Sequence, residues 1–109
     1  MRKRSLIIGL LTVSAGVAVL VAQTQKYGPP KEGFVPDAKT AIRIAVAVWE
    51  PIYGKAQIAG EKPYSARLDT NGVWTVEGSL PKGFDGKGGV AVAEIAKSDG
   101  RILGVGHGK

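Results

Sequence analysis

A run without charged side chains, Ser5 to Ala22, directly follows the basic residues Arg2, Lys3 and Arg4. Leu, Ile, Val, Ala and Gly dominate this run, and it has no polar face of the kind that a helix of a soluble domain carries. A basic head before such a segment is typical of export signals and membrane anchors, because the positive residues stay in the cytoplasm while the apolar segment enters the lipid. We therefore expect residues 1–22 to be a signal peptide or a transmembrane helix.

The sequence allows this leader either to be cleaved or to be retained as a membrane anchor. Signal peptidase requires small residues, which Gly16, Ala18 and Ala22 supply, whereas the length of the run also reaches the lower limit for a spanning helix. In either case the rest of the chain is exported, and we expect it in the periplasm or anchored to the inner membrane facing the periplasm. Residues 23–35 contain two glycines and two prolines, which disfavour helix and strand, so this segment is predicted to be a flexible tether.

Composition excludes several kinds of site in the remaining residues, 36–109, which are enough for one small domain. The chain has no Cys and one His, so disulfides, thiolate zinc sites, cysteine nucleophiles and multi-histidine metal sites are ruled out. Its net charge is +6, but the basic residues beyond the leader are scattered singly instead of forming a stripe. We therefore expect no nucleic-acid partner.

An amphipathic helix is predicted to begin after Asp37, whose side chain can cap it with Thr40 three residues on. The apolar residues that follow recur at spacings of three and four: Ala38, Ala41, Ile42, Ala45, Val48, Trp49 and Ile52. Pro51 predicts that the helix ends or kinks near Trp49, and Gly54 supplies a stop. The next residues, 55–62, read as a polar connection.

Four strands are predicted after this connection. Tyr64 to Asp69 alternates apolar and polar residues, and Asn71-Gly72 turns the chain into a second strand, Val73 to Leu80. A glycine-rich loop leads to Val90 to Lys97, and a further turn leads to Arg101 to His107. The sequence therefore predicts an α+β domain in which one amphipathic helix packs on a four-stranded antiparallel meander.

Three motifs could carry chemistry, and each has a simpler interpretation. Asp69 to Gly72 resembles the start of a calcium loop but lacks the later acidic ligands, so a hairpin turn explains it better. Gly83 to Gly89 resembles a phosphate-binding loop but precedes a strand, so it reads as a connection. His107 could act as a base only beside a carboxylate, for which Glu94 on the neighbouring strand is the candidate. We predict no catalytic, cofactor-binding or metal-binding residues.

A set of short sequence blocks is similar, in the same order, to the small bacterial immunity proteins with a nuclear-transport-factor-2-like (NTF2-like) fold. The resemblance covers residues 33–109. It implies an abbreviated NTF2-like, or cystatin-like, version of the predicted domain. The blocks are Val35-Pro36-Asp37, Ala41-Ile42, Trp49-Glu50-Pro51-Ile52-Tyr53-Gly54, Lys62-Pro63-Tyr64, Gly72-Val73-Trp74-Thr75-Val76-Glu77-Gly78, Leu80-Pro81, Gly88-Gly89-Val90, Glu94-Ile95, Asp99-Gly100-Arg101-Ile102-Leu103 and His107-Gly108-Lys109.

The resemblance implies an immunity protein that binds and neutralises a cognate protein toxin by occlusion, without catalysis, a cofactor or a small-molecule substrate. We expect the toxin to meet the exposed sheet face, the glycine-rich loop and the last strand. The residues predicted to touch it are Lys82, Phe84, Asp85, Lys87, Arg101 and His107.

A second interpretation remains open at this stage. The helix, the hairpin and the turn from Lys97 to Ile102 are also similar to propeptide-like modules that bind and modulate extracytoplasmic peptidases. A toxin gene beside this one would favour immunity, and a peptidase gene would favour modulation.

Overall fold

The computed structural model describes residues 27–81 and 88–108 of the chain. The predicted leader, 1–22, and the glycine-rich loop residues 82–87 lie outside this described part. No helix within the described part is long and apolar enough to cross a membrane.

The long helix α1 spans Ala38–Tyr53. It begins as predicted, because the Thr40 N–H donates to Asp37 Oδ1 at 2.8 Å, and this hydrogen bond also lowers the pKa of the Asp37 carboxyl. It stops at Gly54, as the sequence predicts, where a positive φ of 95° ends the helix and the Gly54 N–H bonds the Glu50 carbonyl at 2.8 Å.

The prediction that the helix could end near Trp49 is wrong, since α1 continues through Pro51 to Tyr53, whereas the alternative of a kink at this position stays a prediction. Pro51 lies in the last turn and is exposed, so its missing N–H removes only one bond near the helix end. The preceding turn is held by Trp49, which is fully buried and donates its indole N–H to the Val92 carbonyl at 3.2 Å. The tertiary packing of Trp49 therefore outweighs the tendency of proline to end a helix.

A second, short helix, α2, spans Lys55–Ala59 in the segment that the sequence suggests is a polar connection. Its apolar anchor is Ile58, which is fully buried, and the Ile58 carbonyl accepts a hydrogen bond from Tyr64 Oη at 2.7 Å. A helix of five residues with one buried side chain shows no helical period of apolar residues, so the sequence pattern did not predict α2.

The sheet consists of β1 (Ser65–Leu68), β2 (Val73–Glu77), β3 (Ala91–Ala96) and β4 (Ile102–His107). Its strands follow the chain order β1-β2-β3-β4, and every neighbouring pair is antiparallel. The predicted α+β arrangement of helix and meander is therefore confirmed, with α2 as an addition.

One face of the sheet packs under α1 and the other faces outward. The register places Trp74 opposite Ile95 and Val76 opposite Ala93, and all four are buried against the helix. Val92 and Glu94 of β3 point to the outer face, as their alternation predicts. This outer face is not covered by any described helix.

In the β1–β2 turn, the Asp69 side chain, which a calcium site would need as a ligand, accepts hydrogen bonds from the backbone instead. Asp69 Oδ1 accepts hydrogen bonds from the N–H groups of Asn71 at 2.8 Å and Val73 at 3.0 Å. Among the described residues, no group of His, Cys, Asp or Glu could hold a metal ion.

Phe34 and Val35, which the sequence assigns to the tether, belong to the packed structure. Their N–H groups donate to the carbonyls of Ser98 at 2.8 Å and Lys97 at 3.0 Å. Val35 is 1% exposed, and its carbonyl accepts the indole N–H of Trp74 at 2.8 Å. Packing therefore begins before residue 36.

Gly33 provides a test of this docking. It has a φ of 84°, and a Cβ built on it would lie 3.0 Å from Lys97 C and 3.1 Å from Ser98 Cα. Gly72 has a φ of 76° but open space around it, so it is a matched control for the backbone conformation alone. Gly33→Ala should lower the free energy of unfolding by about 2 kcal/mol or more, and by clearly more than Gly72→Ala, in urea titrations. Equal losses in the two variants would mean that this segment does not pack on the β3–β4 turn.

Candidate functional site

Glu61 is the buried charged side chain of the described residues, with 3% of its surface exposed. It lies just after α2, where its N–H donates to the Ile58 carbonyl at 3.0 Å. Its own carbonyl accepts the N–H of Ser79 at 2.7 Å, beyond the end of β2. The backbone thus fixes Glu61 between the short helix and the sheet.

The carboxylate of Glu61 joins three further parts of the fold. Oε1 accepts the N–H of Ala91, at the start of β3, at 2.7 Å. Oε2 accepts Nε2 of Gln57, on α2, at 3.0 Å and lies 2.8 Å from Nε2 of His107, at the end of β4. A buried carboxylate is tolerated only with such partners, because an unpaired one costs several kcal/mol.

Gly78 makes room for this carboxylate. A Cβ built on Gly78 would lie 2.5 Å from Glu61 Oε1 and 2.9 Å from Glu61 Cβ. Its φ is not positive, so glycine is required at this position for space and not for backbone conformation.

The pKa of Glu61 is below its ordinary value. Burial has the largest single effect and by itself raises the pKa, but the hydrogen bonds from Ala91, Gln57 and His107 together outweigh it. Glu61 is therefore ionised at neutral pH and can only accept, so Nε2 of His107 must be the donor between them.

Glu94, which the sequence offers as a candidate carboxylate beside His107, is not its partner. Glu94 lies opposite Gly104 on the outer face, whereas His107 lies opposite Ala91 and faces the helix side. There its ring contacts Tyr53 in an edge-on arrangement with centroids 5.2 Å apart, in addition to its bond with Glu61. The sequence gives no sign of the role of Glu61, because a carboxylate that becomes buried looks the same in a polar segment as one that stays in solvent.

A cavity of about 390 Å³ lies beside the Glu61–His107 pair, and Ser79 and Leu80 also line it. Its polar groups are already bonded to one another or to backbone: Gln57 and His107 to Glu61, and Ser79 Oγ to the Pro63 carbonyl. Among the described residues, the hydrogen-bond partner of the imidazole is the Glu61 carboxylate and not a hydroxyl. The arrangement is suited to holding elements together.

Of the residues predicted to touch a partner, the structure describes only Arg101 and His107, and it places them at opposite ends of β4. Lys82, Phe84, Asp85 and Lys87 lie outside the described residues. Arg101 stands at the β3–β4 turn with its side chain 70% exposed, where it pairs with Asp99 at 2.9 Å. His107 lies at the opposite end of β4, and 27% of its side chain is exposed. A role for these residues in binding stays a prediction.

Glu61→Gln tests the electrostatic part of this network. Because the pKa of Glu61 is lowered in the folded state, its carboxylate stabilises the fold above the ordinary value of 4.5, and this stabilisation is lost as the pH falls below that value. We expect the variant to be roughly 2 kcal/mol less stable than the wild type at pH 7, and the difference to shrink below pH 4.5. Urea titrations over a pH series measure both.

Glu94→Gln is the control for this experiment, since it makes the same chemical change on the outer face, where the carboxylate has no described partner. Its effect should stay within about 0.5 kcal/mol at neutral pH. A Glu61→Gln variant as stable as the wild type at every pH would contradict the network.

Gly78→Ala tests the steric part. The added methyl group must displace the Glu61 carboxylate, so we expect a loss of about 1 to 3 kcal/mol in the free energy of unfolding. Gly106→Ala is the matched control, because a Cβ at Gly106 meets nothing within 4 Å. If the two variants are equally stable in urea titrations, Gly78 is not needed to accommodate the carboxylate.

Comparisons with known proteins agree with the fold and the resemblance noted in the sequence. The chain matches the family Imm-NTF2-2, described as NTF2 fold immunity protein, over residues 40–109. It is also 40% identical over 76 residues to the uncharacterized protein YhhH of Escherichia coli (strain K12).

The YhhH match covers 69% of this chain and 58% of YhhH, so this chain spans little more than half the length of that relative. No solved structure matches the chain. The family match begins at the third residue of α1 and covers α2, the Glu61 network and all four strands. The chain therefore belongs to the family of NTF2-fold immunity proteins.

Proposed function

We propose that this protein protects its cell by binding a cognate protein toxin and covering the surface through which the toxin acts. The observation that carries this proposal is the family match, which covers residues 40–109 and so most of the helix-and-sheet domain. No reaction of its own is required, because a stoichiometric inhibitor needs only a stable scaffold and an accessible surface.

The structure supports a scaffold role for the ionisable groups nearest the core. These groups are Glu61 and His107, which connect α2, β3 and β4. At the surface, Asp69 closes the β1–β2 turn. The outer face of the sheet carries exposed and half-buried side chains, with Arg67 and Glu77 paired across it at 3.7 Å. We propose this face, together with the glycine-rich loop and β4, as the surface that meets the toxin.

We also propose that neutralisation takes place outside the cytoplasm. The basic head and apolar run of residues 1–22 favour export, either with cleavage into the periplasm or with retention as an anchor in the inner membrane. The family match favours toxin immunity over the peptidase modulator that the sequence also allows.

The proposal is tested by deleting the gene in its own host and growing the deletion strain in mixed culture with the parent. The parent delivers the toxin, so the deletion strain should lose the competition. A plasmid copy of the full-length chain should restore its growth.

Two controls make this result specific. The deletion strain grown alone should match the parent, which excludes a general growth defect. A plasmid copy without residues 1–22 should fail to protect, since the inhibitor then stays in the cytoplasm. If the deletion strain competes as well as the parent, toxin immunity is refuted.

A further inference from the structure

Within residues 27–81 and 88–108, β4 is an open edge of the sheet, unlike β1 at the other edge. β1 has four residues, carries Arg67 and is packed against α1. β4 has six residues, Ile102–His107, with no Lys, Arg, Asp, Glu or Pro among them. Among the described elements, only β3 makes extensive contact with it. Edge strands of this length usually carry a charge, a proline or a cover that prevents pairing with another chain.

The unpaired backbone groups of this edge can be identified from the register. The Gly108 N–H donates to the Val90 carbonyl at 3.0 Å, and Gly106 and Gly104 lie opposite Val92 and Glu94. In an antiparallel pair, every second residue bonds to its neighbour and the residues between them point away. The N–H and C=O groups of Val105 and His107 therefore face outward from the sheet. Only an extended peptide segment matches this pattern.

The outer face of the sheet beside β4 has a groove and a carboxylate that has no partner among the described residues. Gly104 and Gly106 leave a groove of about 460 Å³ on that face, lined also by Val92 and Glu94. The Glu94 carboxylate leans over Gly104, since a Cβ built there would lie 3.5 Å from Glu94 Oε1. Glu94 is exposed and forms no hydrogen bond or ion pair with a described residue. It therefore presents a negative charge to whatever pairs with β4.

We propose that an extended segment of the toxin adds to the sheet as a fifth strand along β4, with a Lys or Arg placed opposite Gly104 to pair with Glu94. This inference rests on the proposed function, because it names the way in which the toxin is held. Backbone bonds to Val105 and His107 supply affinity, and the basic side chain supplies specificity. The exposed side chains of Ile102 and Leu103 extend the contact at one end.

A second copy of this chain fits the edge less well than such a segment. If β4 paired with β4, the residues opposite Gly104 would come from 102–107, where the one basic candidate is His107. That imidazole is already bonded to Glu61 on the helix side. Glu94 would then remain without a partner.

Synthetic peptides test the edge without the toxin. The probe is a labelled peptide of alternating Val and Thr with a central Arg, and the control peptide has Glu at the centre. We expect the Arg peptide to bind the full-length chain about tenfold more tightly in fluorescence polarisation, since like charges on adjacent strands repel. It should also slow amide exchange at Val105 and His107. Equal binding of the two peptides, or no slowing at these amides, would overturn the proposal.

Three variants locate the contacts. Val105→Pro removes one outward N–H and should weaken binding of the Arg peptide about tenfold, whereas Val105→Ala keeps the N–H and should bind nearly as well as the wild type. Glu94→Gln should remove the preference for Arg over Glu. Urea titrations identify any variant whose fold is lost. If Val105→Pro were unfolded, the Glu94→Gln result would decide alone, and a preference for Arg that survives this change would overturn the proposal.

The same variants in the competition assay separate this inference from the proposed function. If the wild-type chain protects the deletion strain and Val105→Pro does not, while Val105→Ala does, both are supported. If the wild type and a folded Val105→Pro variant protect equally, the edge inference fails and immunity stands. If the wild type gives no protection, immunity fails and the toxin assignment of the edge fails with it, whatever the peptides bind.

Discussion

The buried Glu61 carboxylate joins parts of the fold that are far apart in the sequence. It accepts hydrogen bonds from α2, from the first residue of β3 and from the last residue of β4. Since Glu61 is 3% exposed, removing one of these partners leaves the charge less well compensated in a region that water hardly reaches. Glu61, in the connection between α2 and β1, thus bonds to the end of β4, a strand that otherwise pairs only with β3 among the described strands.

The hydrogen bonds of Glu61 are also related to which face of the sheet carries each ionisable side chain. The sole histidine is used on the helix side, where Glu61 and Tyr53 surround it. Glu94, the fourth residue of β3, points to the opposite face and has no partner among the described residues; it lies over the groove that Gly104 and Gly106 line. The inner side of the sheet therefore serves stability, and the outer side with the open edge is available to a partner. That division suits a protein that acts by contact.

Periodicity in the sequence was sufficient for the main elements. The Asp37 cap, the Gly54 stop, the Asn71-Gly72 hairpin and the alternation of β3 follow from local patterns, and the structure confirms each of them. The continuation of α1 through Pro51 could not be predicted, because it depends on the burial of Trp49 against β3. Local patterns likewise gave no sign that Val35 would dock on Trp74.

The candidate site was less predictable than the fold. His107 was identified, but its partner was assigned to the adjacent strand, whereas the true partner lies 46 positions earlier in the chain. A carboxylate becomes buried only when several distant donors converge on it, and that convergence is a property of the tertiary structure. The family resemblance rests on the order of many short sequence blocks, so it could be found without knowing which carboxylate is buried.

We propose that this protein neutralises its partner by covering it and leaves it chemically intact. The most direct measurement is a titration of the toxin with the full-length chain, followed by the mass and the activity of toxin released from the complex. We expect inhibition to be stoichiometric, and the released toxin to have its original mass and full activity. Inhibition by far less than one equivalent, with a toxin that is permanently altered, would contradict the claim.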